Sequence, residues 1–129
     1  MTPDPAPLRL IRPQDRRPGH ATSCMTRHEA VAVPDALWSG LVETQPGMVS
    51  GWHHHGDHET SIYVARGVLH MEFGPGGGQV LDAAEGDFLL VPAHAVHREG
   101  NPGDAASLLV VSRAGRGEAV VNVDGPQPA

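Results

Sequence analysis

The strongest constraint on this chain is the shortness of its apolar runs. From residue 36 to 123 no segment carries a helical period. Short apolar or alternating runs at 36–43, 48–55, 61–65, 68–73, 79–82, 88–91, 107–111 and 119–123 are instead separated by Gly, Pro and Asp. Many short strands closely spaced by turn signals build an all-β sandwich or barrel. Within 68–73, Leu69, Met71 and Phe73 share one face and His70 and Glu72 the other, which places His70 on the surface. The run Gly74-Pro75-Gly76-Gly77-Gly78 reads as a hairpin loop, because glycine permits positive φ. No internal repeat is visible, so one barrel is expected.

The ends differ from this body. The first 18 residues hold five prolines and read as an extended arm with one short strand at 8–11. The last six residues, with two prolines, read as a frayed tail. The expected organisation is an N-terminal arm over 1–18, a β-barrel over 19–123 and a flexible tail over 124–129. A length of 129 residues suits one domain.

Charge and cysteine usage narrow the function classes. A net charge of -6 argues against a nucleic-acid surface, which needs clustered Lys and Arg. The basic run at 12–17 lies among prolines and reads as a solvated arm. Cys24 is the single cysteine, so no intrachain disulfide is possible and a cytoplasmic location is expected. No apolar run approaches the ~20 residues of a membrane span. Prolines at 3, 5 and 7 also interrupt any signal-peptide core.

The unusual residue is histidine. Nine are present, against nine Lys plus Arg, and four of them fall between 53 and 58. Imidazole is the commonest metal-ligating side chain. His53 and His55 stand two apart on an expected strand, so both rings project from one face and can chelate one ion. Glu59 opens the next strand and can bring a carboxylate across. A third histidine must come from elsewhere, and His97, after the run 88–91 and the turn at Pro92, is the candidate. His54 and Trp52 should point out of the barrel. His20 and His28 carry no pattern.

These residues carry a resemblance. The stretch from Gly47 through His53-His54-His55 to Glu59 resembles the first cupin motif: Gly, five residues, His-x-His, three or four residues, Glu, six residues, Gly. The stretch from Gly86 through Pro92 and His97 to Asn101 is similar to the second, and its spacings agree throughout. The chain therefore resembles the cupin superfamily, small single-domain members of the conserved-barrel type. That implies a double-stranded β-helix, the jelly-roll cupin barrel. It further implies one divalent transition metal (Fe, Mn, Ni, Cu or Zn) on His53, His55, Glu59 and His97.

Two departures stand out. His94 occupies the position of the usual Gly in Pro-x-Gly, so the turn there must tolerate a side chain. Gly67 lies one residue too far from Glu59, and counting back from Gly67 puts Thr60 in the glutamate slot. Ile62 and Val64 share the parity of Thr60, not of Glu59. A β-bulge near 59–61 would let Glu59 face inward; without it, His58 and Thr60 face the cavity and the shell is histidine-only. Glu59 is the favoured ligand, since a carboxylate offsets the ion's charge.

Members similar to this chain include dioxygenases, isomerases, decarboxylases and non-enzymatic binding proteins, so the fold does not settle the reaction. Two classes stay open. One is a metal-dependent dioxygenase acting on a small oxygenated or aromatic molecule. The other is a non-catalytic sensor or carrier of a small ligand. Catalytic residues are not assignable from the sequence. No nucleic-acid or membrane partner is expected. A homodimer is, because Leu8, Leu10 and Ile11 in the arm could pair with an edge strand of another chain.

Overall fold

The computed structural model describes residues 7–20, 22 and 24–129; the first six residues of the expected arm lie outside the described residues. The described chain is all-β and antiparallel, in two sheets. Its strands are β1 (Arg17–Pro18), β2 (Met25–Val33), β3 (Leu37–Thr44), β4 (His53–His54), β5 (Glu59–Arg66), β6 (Val68–Phe73), β7 (Gln79–Ala84), β8 (Phe88–Val91), β9 (His97–Gly100), β10 (Ser107–Ala114) and β11 (Val121–Asn122). One sheet runs β1-β2-β3-β10-β5-β8 and the other β11-β4-β9-β6-β7. This is the jelly-roll barrel that the short, turn-punctuated runs anticipate. No helix of the described residues is long and apolar enough to cross a membrane.

Alternation builds the core. On β5, Thr60, Ile62 and Val64 face inward; on β6, Leu69 and Met71 do; on β10, Leu109 and Val111 do. Leu69 and Leu109 are 1% exposed and Val64 is 0%. Each such side chain stabilises the fold by about 1.5–3 kcal/mol relative to exposure. His70 and Glu72 lie on the outer face of β6, where His70 meets Asp82 at 2.6 Å and Glu72 takes a two-pronged contact from Arg98.

The turns also follow the sequence. The loop 74–78 joins β6 to β7, with Phe73 paired to Gln79 and Gly74, Gly76 and Gly77 at positive φ. Asn101, the last residue of the second motif, is a clamp: its Nδ2 donates to the carbonyls of Thr44 and Ala105, and its Oδ1 accepts from the amide of Gly103.

Three readings change. Residues 8–11 are not in a strand; Leu8 and Leu10 are exposed. The run 48–55 shortens to β4 plus an isolated bridge between Val49 and Gly100. Strands β2 and β9 arise where no clean apolar run exists. Their inner faces carry polar side chains (Arg27 and Glu29; His97 and Glu99), so their alternation cannot be read as apolar and polar.

Candidate metal centre

Two neighbouring strands bring three histidines together. His53 on β4 is the cross-strand partner of His97, the first residue of β9. His55, two residues beyond His53, projects from the same face, and the chain turns away at Gly56. That glycine has φ +58°, and a Cβ there would meet the carbonyl oxygen of Glu118 at 2.7 Å, so the reversal that presents His55 requires glycine. His53, His55 and His97 are 7%, 6% and 3% exposed. Their ring centroids lie 4.4–5.3 Å apart. One ring nitrogen from each falls within 4.8 Å of the others.

The backbone sets which nitrogen is available. The Nδ1 atoms of His53, His55 and His97 lie 2.9, 2.8 and 2.9 Å from the carbonyl oxygens of Gly51, Ala119 and Ala95. A carbonyl only accepts, so each Nδ1 carries the hydrogen and donates it. Each Nε2 then keeps its lone pair. The Nε2 of His97 is buried and has no hydrogen-bond partner among the described residues. Burial, the largest cause, pushes the His55 pKa down to about 3, and the nearby Arg113 pushes the same way. Burial also holds His97 below the usual histidine range. Both rings are therefore neutral at physiological pH, the protonation state that metal coordination needs. Buried, convergent donors, with His55 and His97 held neutral and one nitrogen orphaned, fit a divalent transition metal.

Glu59 is not part of this group. It is exposed on the outer face of β5, while Thr60, 1% exposed, faces inward. Pairing of β5 with β10 is regular from Glu59 to Val64, and the ladder shift falls between Leu108 and Leu109, opposite Arg66 and Val64. No bulge near 59–61 rotates Glu59, so strand parity keeps it in solvent. The Oγ1 of Thr60 is buried without a hydrogen-bond partner among the described residues. His58 is buried too, but its Nδ1 bonds the carbonyl of His55, and it lines a separate cavity with Trp38 and Arg113 and is not part of the histidine trio. His54 faces outward and accepts from the amide of Gly56. His94 takes φ +63°, the conformation that glycine ordinarily occupies, and reaches Asp57 at 2.8 Å on the surface.

Sequence reasoning missed Glu99. It lies two residues from His97 on the same face of β9, and its Oε1 is 3.9 Å from the Nε2 of His53. The period-two rule applied to His97 would have found it. Beside the histidines opens a cavity of about 280 Å³. Its polar lining includes His53, His55, Thr60, Glu99, Arg27 and Arg113, and Val42, Ile62, Leu109 and Val111 are among its apolar walls.

A buried histidine trio brought together by neighbouring strands of a jelly-roll barrel is the arrangement of a metal-binding cupin, and comparison with known proteins agrees on the family. The cupin domain profile matches residues 40–112, so the chain belongs to the cupin family. No curated protein matches it. Among solved structures, KdgF from Halomonas sp. is similar at 21% identity, over 86% of this chain and 96% of that one, with a TM-score of 0.72. A conserved double-stranded β-helix protein from Klebsiella pneumoniae is 18% identical over 82% of this chain and 90% of that one, with a TM-score of 0.67. The Lactobacillus farciminis oxalate decarboxylase is 19% identical with a TM-score of 0.69; the match spans 85% of this chain but 34% of that one. At these identities the likeness is one of fold.

Proposed function

We propose that this cupin holds one divalent transition metal on His53, His55 and His97 and binds a small oxygenated molecule there for reaction. The observation that carries the reading is the set of three Nδ1–carbonyl bonds, which leave Nε2 as the ring nitrogen available on each of three clustered histidines beside a cavity. When bound, such an ion supplies a Lewis-acidic centre that can chelate a ligand's oxygen atoms, and Fe(II) or Mn(II) would add redox capacity. The rest of the work falls to the chain. The carbonyls of Gly51, Ala119 and Ala95 orient the rings, and Thr60 offers a neutral hydroxyl where the family pattern has a carboxylate. The half-buried Glu99 can accept a proton beside His53. With Thr60 in that position the shell is histidine-only unless Glu99 swings in, so the centre keeps most of its positive charge. A fold relative, the Bacillus subtilis oxalate decarboxylase, has Mn(II) centres, which supports a first-row ion.

Within this reading, dioxygenase chemistry is the specific activity to test. Purified protein should carry close to one divalent metal per chain by elemental analysis, and His53→Ala and His97→Ala should each lose most of it. Full retention in both variants overturns the site. The Fe(II)-loaded form should then take up O₂ with a small oxygenated or aromatic substrate. Tight ligand binding without turnover of any kind would make the protein a sensor or carrier.

A homodimer belongs to the same proposal. The edge strand β8 exposes Phe88 and Leu90 at 74% and 67%, and the Phe88 ring lies 4.8 Å from that of Tyr63. Leu8 and Leu10 of the arm are likewise exposed. A second copy would cover these apolar side chains, and light scattering showing a monomer at micromolar concentration would refute it. A cytoplasmic location suits the single, exposed Cys24, which a reducing compartment would protect from oxidation.

A further inference from the structure

The cavity beside the histidines contains two cations that the metal site does not require. Arg27 on β2 and Arg113 on β10 both project from the inner face of the six-stranded sheet. Arg113 is the register partner of Trp38 on one side and of Thr60 on the other. Its guanidinium lies 4.9 Å over the Trp38 ring, and its Nε is buried with no hydrogen-bond partner among the described residues. Arg27 donates to neutral acceptors: the carbonyl of His20 at 2.9 Å, Thr22 Oγ1 at 3.3 Å and Met25 Sδ at 2.8 Å. Among the described residues neither guanidinium has a carboxylate in ion-pair contact. Glu29 accepts instead from the Trp38 indole at 3.1 Å, and the Glu99 carboxylate approaches His53.

Two partly buried guanidiniums that share a cavity with a single carboxylate, Glu99, and make no ion-pair contact with it are costly to a fold. Burial lowers the pKa of both and Arg27 adds repulsion on Arg113, and the attraction of the one carboxylate, Glu99, does not offset this. Such an arrangement is tolerable where a ligand brings the missing negative charge, and the guanidinium fork matches a carboxylate. The apolar walls from Val42, Ile62, Leu109 and Val111 suit a carbon skeleton. Glu99, in the same cavity, disfavours a multiply charged group such as phosphate. Resting on the proposed metal centre, we propose that Arg27 and Arg113 anchor the carboxylate of a small oxygenated acid whose other oxygen donors face the histidines. The substrate class is a short dicarboxylate or a 2-hydroxy or 2-oxo acid.

The test is calorimetric titration of the zinc-loaded protein, a redox-inert form, with malonate, malonamide and inorganic phosphate. Malonate should bind, and malonamide, isosteric but uncharged, should not. Arg27→Gln and Arg113→Gln should each weaken malonate binding at least tenfold with zinc content unchanged. If Arg113→Gln fails to fold by circular dichroism, Arg27→Gln decides alone, because its partners are peripheral and neutral. Equal malonate affinity in the arginine variants, equal binding of malonamide, or binding of phosphate in place of malonate overturns the proposal. Failure of the metal centre reads differently. His97→Ala would then match the parent in zinc content, and an arginine-dependent thermal shift with malonate would persist in the metal-free chain.

Discussion

Acidifying the metal-free protein from pH 6.5 to 4.5 should destabilise it, and His55 should account for much of the loss. In the folded chain burial holds this ring's pKa at about 3, whereas in the unfolded chain it titrates near its ordinary value of 6.5. Between those values the unfolded state binds the proton and the folded state does not, so stability falls as pH falls. A fully titrated pH unit is worth about 1.4 kcal/mol, and because the unfolded ring is already half protonated at pH 6.5 the interval from 6.5 to 4.5 costs about 2.3 kcal/mol from His55. His97, shifted in the same direction, adds to it. At about 4 °C per kcal/mol for a domain of this size, the Tm should drop by about 10 °C. The assay is thermal unfolding of the chelator-treated protein at several pH values, beside His55→Gln, which cannot titrate. The variant should show a clearly shallower dependence over the window. Parallel curves for the two proteins would refute the reasoning, because the loss would then arise elsewhere.

The remaining predictions concern residues around the centre. Glu59→Gln should leave metal content unchanged by elemental analysis, since its side chain faces solvent, and metal loss would mean that the carboxylate reaches the ion. Thr60→Glu should lower the stability of the metal-free chain by about 1–3 kcal/mol, through burial of an extra polar group. The same change should enlarge the zinc-induced rise in Tm by adding an inward carboxylate, and no enlargement would show that residue 60 does not face the ion. His94→Gly should stabilise the protein by about 1 kcal/mol in chemical denaturation, because glycine adopts φ +63° without the penalty a side chain incurs. Destabilisation would show that the exposed contact with Asp57 outweighs backbone strain.

The part of this protein that a linear reading determines is the part governed by short-range periodicity. His53 and His55 share a face because strand side chains alternate, and Leu69 and Met71 enter the core for the same reason. The glycine-rich loop at 74–78 turns because its residues tolerate positive φ. The two motifs likewise placed His97 among the candidates through spacing alone. What remained open depended on where a ladder slips and on which strands lie side by side. The choice between Glu59 and Thr60 turned on a register shift that falls opposite Arg66, not at 59–61. No local pattern reveals this, because a bulge is a property of two paired strands. The pairing of β4 with β9 sets His97 beside His53 and brings Glu99 to the cavity. Arg27 and Arg113 carry no motif at all; they meet in one cavity only because β2 and β10 flank β3 in the same sheet. Alternation decides a side chain's face within its strand, but only closure of the barrel decides its neighbours across the cavity, and the proposed chemistry resides in those neighbours.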